Sequence, residues 1–300
     1  MRNYFTFGNT VGAFLRSYVY GIYIESPPTV NSAARNVEKI NIPGAMRPLL
    51  YDRGGYENVT RTYNVFFAPD KTYPMFMTNG MSVDGGLKYI LARLQETATG
   101  VLGFTKTGYM QLTDTYTQDV NGYSMQYLAR YMGGSEYENS LLLHGRGQIR
   151  FDCLPQIYIT KTNDTTNING IELTNISTTE KSGTIKRPQN SELYARNAFP
   201  QITVEFENEC TLQLTVNSYP MSITLHKHDT GTEKLIIDSE MQNAWYENTG
   251  VAYPANSDIT FQNDGMYPTL DGILSQTVKA KTTSGTVAKI TVESRWFIIA

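Results

Sequence analysis

From Arg35 to Phe67 the polar and apolar positions fall into short segments separated by turn signals. Val37, Ile40 and Ile42 form an apolar segment that stops at Pro43-Gly44, and Leu49 and Leu50 lead to a second stop at Asp52-Arg53-Gly54-Gly55. After Tyr56 the pattern is strict alternation: Val59, Arg61, Tyr63, Val65 and Phe67 share one face, with Thr60, Thr62 and Asn64 on the other. A period of two is that of a half-buried strand, and Pro-Gly and Gly-Gly pairs let such strands fold back. The stretch reads as an all-β meander.

The same rhythm runs through most of the chain. Tyr4–Phe7 and Tyr18–Ile24 are strand candidates ahead of the break at Ser26-Pro27-Pro28. Residues 108–131 read as a strand, a loop around Asn121-Gly122 and a second strand, and Ile149, Phe151 and Cys153 alternate in a strand ended by Pro155. One helix is predicted over Gly86–Thr97, where Leu87, Ile90, Leu91 and Leu94 recur at i, i+3, i+4 and i+7. Ser82 or Asp84 stands where an N-cap would, and Gly100 where a C-terminal glycine is expected. Between Gly133 and Gly147 an apolar triplet, Leu141-Leu142-Leu143, is framed by glycines. That pattern predicts either a core hairpin or a projecting arm whose apolar tip packs on another subunit.

Residues 161–191 break the rhythm, since Thr, Asn and Ser fill 15 of 31 positions. The expected division is therefore a domain over 1–160, a polar linker or insertion over 161–192, and a second domain over 193–300. In the second domain Ile202, Val204 and Phe206 alternate, as do Leu212, Leu214 and Val216, and Met221, Ile223 and Leu225. Ile290, Val292, Ser294, Trp296 and Ile298 alternate in a predicted last strand. Short strands at this spacing predict an antiparallel sandwich.

Composition narrows the function classes. Lys+Arg 25 against Asp+Glu 28 gives a net charge of −3 with no basic run, which argues against a nucleic-acid footprint. The 21 Tyr and 12 Phe suit sheets and contact surfaces. Cys153 and Cys210 lie in strand-like apolar settings and are expected to be free buried thiols in a reducing compartment. The first residues, Met1–Leu15, lack the unbroken apolar core of a signal peptide, and no run reaches the ~20 residues of a membrane span. The expectation is a soluble chain made in the cytoplasm, with no membrane insertion.

Candidate chemistry is sparse. His226 and His228 share a strand face with Ser222 and Thr224, but zinc needs three or four ligands, so they read as solvent-facing. The remaining histidine, His144, lies in the glycine-framed segment, and no nucleophile-elbow motif accompanies any of them. Glu205, Glu207 and Glu209 at spacing two read as a solvated face rather than a glycosidase pair. Gly85-Gly86 lacks the Lys-Ser/Thr of a P-loop. Asn163-Asp164-Thr165 and Asn175-Ile176-Ser177 match the glycosylation sequon at the level of chance for a Thr/Asn-rich stretch. No catalytic residue, cofactor or metal ligand is assigned, and the chain reads as a non-enzyme.

Several segments in order resemble the distal tail proteins (Dit) of long-tailed non-contractile siphovirus bacteriophages. They are Tyr20–Ile24, the R-x-V-E-x-x-x-I-P-G run from Arg35 to Gly44, and the D-x-G-x-Y-x-N-V run from Asp52 to Val59. Phe151-Asp-Cys-Leu-Pro155 matches the F-x-C-x-P strand that closes the family's first domain. Leu235–Glu240 with Ala244–Tyr246, and Ile290–Trp296 with its Arg-Trp pair, resemble the second domain's signatures. The chain departs at Pro43-Gly-Ala-Met-Arg47-Pro48, where the family often has P-G-R-x-G, and the 161–191 connection is long.

The resemblance implies a mainly β protein. Its N-terminal β-sandwich would carry one helix and an extended hairpin arm, and its C-terminal domain would be a galectin-like antiparallel β-sandwich. It further implies a homohexamer, a ring of six that joins the tail tube protein to the baseplate hub or tail-associated protein. The tape-measure protein and then DNA would pass the lumen without specific binding, and receptor-binding proteins are further possible partners. The location implied is the virion tail tip, after synthesis in the host bacterial cytoplasm. Subunit contacts are expected at Gly133, Leu141, Leu142, Leu143 and Arg61. An alternative reading is a carbohydrate-binding module for host-surface adhesion, with Trp245 and Tyr246, or Trp296, as an aromatic platform; a glycan array separates the two.

Overall fold

The computed structural model describes residues 3–9, 13–40, 49–68, 109–117, 122–132, 145–188, 198–228, 230–248, 251–262, 265–271 and 275–300. It is mainly β with antiparallel sheets, as expected. Among the described residues the helical segments are the short 3-10 turns Ser17–Tyr20 and Asn256–Asp258. The predicted helix over Gly86–Thr97 and the apolar triplet Leu141–Leu143 lie outside the described residues. Two compact units emerge, Met1–Ile157 with Ile299–Ala300, and Tyr158–Ile298.

The N-terminal unit is built on one large sheet. Its path runs Ala13–Arg16, Phe5–Asn9, Met110–Asp114, Tyr123–Tyr131, Arg146–Lys161, Val59–Phe67 and Ile22–Ile24. The sheet curls until its ends nearly meet: Asn3 bridges to Ile24, whose N–H donates to the Asn3 carbonyl at 2.8 Å. Aromatic side chains fill the interior. The Phe5 and Tyr63 rings stack at 5.3 Å, and Phe151 meets Phe5, Phe7 and Tyr131 within 6 Å. Val59, Arg61, Tyr63 and Val65 all face inward, so the alternation read from this stretch sets the buried face.

Local departures have identifiable causes. Tyr18–Tyr20 belongs to the 3-10 turn, and the strand begins only at Ile22, after Gly21 takes φ 74° and donates back to Tyr18. Pro155 does not end its strand, which runs on to Lys161. It lies past Cys153, the last residue in register with Val59–Phe67, so no N–H of that ladder is lost. Asp52-Arg53-Gly54-Gly55 is a bulge and not a stop. Arg35 faces Tyr56 while Val37 faces Asp52, and Gly55 at φ 76° absorbs the extra residues.

The C-terminal unit is a two-sheet antiparallel sandwich. One sheet orders Gly170–Ile176, Val287–Glu293, Gln201–Phe206, Glu233–Asp238, Asn243–Asn248 and Val251–Pro254. The other orders Lys181–Lys186, Ser275–Thr282, Cys210–Val216, Tyr219–Leu225 and Ile259–Phe261. Ile202, Val204, Phe206, Leu212, Val216, Ile223 and Leu225 have no exposed surface, which places every predicted alternating set in the core.

The polar stretch expected as a linker or insertion over 161–192 is, among its described residues 161–188, part of the sandwich: it supplies an edge strand to each sheet, Gly170–Ile176 and Lys181–Lys186. Ile171, Leu173, Ile176 and Ile185 are buried beneath its Thr and Asn residues. The predicted last strand is also two strands, because Arg295 adopts φ 51° between Val287–Glu293 and Phe297–Ile299.

Candidate functional sites

Arg61 was expected at a subunit contact or a lumen, and the structure places it elsewhere. It is 4% exposed and points into its own unit. Its Nη2 meets Asp114 Oδ2 at 2.6 Å, its Nε donates to the Tyr63 hydroxyl at 2.7 Å, and its Nη1 donates to the Tyr127 hydroxyl at 3.0 Å. Tyr63 in turn donates to Asp114 Oδ2 at 2.6 Å. Asp114 Oδ1 accepts the Tyr116 N–H and so shapes the turn that follows its strand. Burial alone would lower the Arg61 pKa, but Tyr63, Asp114 and Tyr127 outweigh it and the net direction is upward. Burial, then the Asp114 charge, raises Tyr63, so the phenol remains a donor. A buried guanidinium whose partners are all supplied within one chain has nothing to offer a neighbour. Arg61 is a core residue.

The exposed feature near it is the hairpin Arg35–Ile40 with Leu49–Tyr56. These strands pair with each other and, among the described residues, with no other strand. Ala34 and Glu57 close the base through a 2.8 Å backbone bond, and Val37 and Tyr56 are 41% and 42% exposed. Gly133, Leu141, Leu142 and Leu143 lie outside the described residues, as does His144.

The proposed aromatic platform does not form as expected. Tyr246 is 1% exposed, and its hydroxyl sits 3.0 Å from Asp258 Oδ2 and accepts the His226 N–H. Burial pushes its phenol pKa up. Trp296 is fully buried, while Trp245 is half-buried on the opposite side of its strand from Tyr246. The strand carrying Ser222 and Thr224 stops at Leu225, so His226 and His228 lie in the loop beyond it. His226 is open to solvent, 4.0 Å from Asp258, but His228 is not simply solvated. Its ring stacks on Tyr253 at 4.7 Å and 9°, and its Nδ1 lies 3.6 Å from buried Glu233. Sequence periodicity could not find that contact, which depends on the edge strand Val251–Pro254 folding back.

Of the glutamates expected on a solvated face, Glu207 and Glu209 are exposed and Glu205 is half-buried. Glu205 pairs with Lys289 at 3.3 Å and Lys234 at 3.7 Å, and Glu209 accepts the Lys227 N–H. Cys153 and Cys210 are free and buried, as expected. Desolvation pushes the Cys153 thiol up to about 12 and raises Cys210. Among the described residues no group of three His, Cys, Asp or Glu could hold a metal, and no helix is long and apolar enough to cross a membrane.

No protein-family model matches the chain, and no curated protein does. Among solved structures the chain is similar to SPP1 Dit (gp 19.1), described as a paradigm of the hub adsorption apparatus in phages that infect Gram-positive bacteria. The identity is 12%, the match covers 96% of this chain and 98% of that one, and the TM-score is 0.48. A fructofuranosidase variant from Schwanniomyces occidentalis matches at 6% identity over 94% of this chain and 62% of that one, with a TM-score of 0.19. A structure of infectious bursal disease virus, Gx strain, matches at 10% identity over 91% and 81%, with a TM-score of 0.15. Likenesses at these scores carry no functional argument, which falls to the residues.

Proposed function

We propose that the chain is a structural component of a phage tail tip: a distal-tail-type protein whose six copies close into a ring between the tail tube and the baseplate hub. The ring leaves a channel for the tape-measure protein and DNA. The observation that carries this reading is the ordered series of family-like motifs, from Tyr20–Ile24 to Ile290–Trp296, spread over both units. Their placement adds support. The Arg35–Gly44 and Asp52–Val59 motifs supply the two sides of the exposed hairpin and the start of the buried strand after it. A hairpin that leaves Val37 and Tyr56 exposed suits a contact with another subunit. A net charge of −3 suits a channel that must release DNA.

Ring closure is assigned to the Arg35–Tyr56 hairpin and to the glycine-framed segment, with Arg61 withdrawn from the contact. Deleting Gly133–Gly145 abolishes the ring and leaves a folded monomer, which light scattering and circular dichroism on the same sample read together. A ring of unchanged mass in the deletion variant removes that segment from the interface, and a wild-type chain that stays monomeric at high concentration contradicts the function.

A further inference from the structure

In the C-terminal unit the strand Glu233–Asp238 turns into Asn243–Asn248, and that turn grips both places where the chain passes between units. Asp238 Oδ1 accepts the N–H groups of Glu240 and Met241 at 3.0 Å each, which fixes the turn. The Glu240 carboxylate then accepts the Tyr158 hydroxyl, with oxygens at 2.8 and 3.0 Å. Tyr158 is the first residue of this unit. Burial, followed by the Glu240 charge, lifts its phenol well above the ordinary range and keeps it a donor.

The other oxygen of Asp238 holds the way out. Arg295 Nη1 meets Asp238 Oδ2 at 2.9 Å, and its Nη2 donates to Gln201. Arg295 stands three residues before Ile298, where the unit ends, and holds φ 51° without being glycine. A side chain in the left-handed region costs on the order of 1–3 kcal/mol and persists only where its surroundings fix it. Entry and exit also touch: the Ile159 N–H donates to the Trp296 carbonyl at 2.7 Å, and the Phe297 ring lies 6.4 Å from Tyr158.

We propose that the Asp238–Glu240 turn is a clasp for the two chain connections of the C-terminal unit. It fixes where the chain enters at Tyr158 and leaves after Arg295, and its release frees both segments together while the two sheets stay intact. The clasp is polar and stands at a strand end, outside the aliphatic interior, so it opens as a local unit. It also gives a role to residues of distant segments, Asp238, Glu240 and Arg295, that ring assembly leaves unused, and it does not depend on that assembly.

Hydrogen exchange read by mass spectrometry on the full chain tests it. Tyr158→Phe and Arg295→Gln, made separately, are each expected to speed exchange roughly tenfold in both 158–161 and 296–300, the order expected when a hydrogen bond to a charged group is lost. Exchange in 210–225 stays at the wild-type rate. Acceleration confined to the mutated segment overturns the proposal, because entry and exit are then held independently. Acceleration across both sheets also overturns it, because the cluster is then part of global stability. Should Arg295→Gln fail to fold, Glu240→Gln keeps the turn and removes the charge; faster exchange in both segments supports the clasp, and no change in either contradicts it.

Discussion

The N-terminal unit holds a guanidinium, Arg61, in the middle of a buried strand face, whereas the C-terminal unit places its buried charged side chains, Glu233 and Asp238, at the first and last positions of one strand. The difference decides what each charge can do. At a strand end the partners are loop N–H groups: His228 donates to Glu233, and Glu240 and Met241 donate to Asp238. Such a carboxylate shapes a turn. Asp114 also ends its strand and accepts the Tyr116 N–H, but its other oxygen meets a guanidinium held amid the core, whose partners must be side chains and come from strands far apart in sequence, at Asp114 and Tyr127. Such a pair selects one arrangement of strands, and its cost appears when either partner is removed.

The largest expected effect breaks the interior pair. Asp114→Ala leaves the guanidinium buried beside two phenols and is expected to cost about 3–5 kcal/mol in urea denaturation. Combining Asp114→Leu with Arg61→Met is expected to recover much of that loss. A single variant costing under about 1 kcal/mol would mean the pair is solvated and the contrast between the units false.

The next effect tests whether the Thr/Asn-rich segment is truly sandwich. Gly170 sits at φ 140°, and a Cβ there would lie 2.0 Å from the Val292 carbonyl oxygen. Gly170→Ala is expected to cost about 2 kcal/mol or more, read as a fall in Tm. Wild-type stability would return the segment to a linker.

Thiol chemistry compares the two units more gently. Cys153 is fully buried beside Arg61, and Cys210 is 9% exposed at the start of a strand. Both thiols are raised, so neither is a thiolate at pH 8, and Cys210 is expected to react with a disulfide reagent faster than Cys153. Equal rates that match the unfolded chain would show that neither core excludes the reagent.

The smallest effect is an acid-side one. Burial acts to raise Asp164, but N–H groups of Asn169, Thr166 and Ile168 outweigh it and lower its pKa. A depressed carboxylate contributes stability that is present above its unfolded pKa of about 3.9 and is lost as pH falls through the lower folded value. Asp164→Asn is therefore expected to lower Tm at pH 7 and to flatten the Tm decline below about pH 4. An unchanged acid profile contradicts the Asp164 turn.

Much of the fold was legible wherever one face of a strand is buried. Residues 59–65, 202–206, 212–216 and 221–225 alternate in sequence and in burial alike. Composition hid the strands at 170–186, since their exposed faces are Thr, Asn and Lys while Ile171 and Leu173 keep the period. Arg61 was read correctly as sharing a face with Tyr63 and Val65, but its meaning depended on Asp114, 53 residues away. No local pattern encodes such a pairing. Tyr246 was misplaced for a similar reason: its polar partners Asp258 and Thr224 come from other strands and turns. The motif residues Asp238, Glu240 and Arg295 were visible as segments, and their convergence became visible only with the fold.

The central claim is that this chain closes into a ring, and negative-stain imaging of the purified protein reads it most directly. The account predicts particles with six-fold symmetry and an open centre. A field of separate single-chain particles at concentrations where assembly is expected would contradict it.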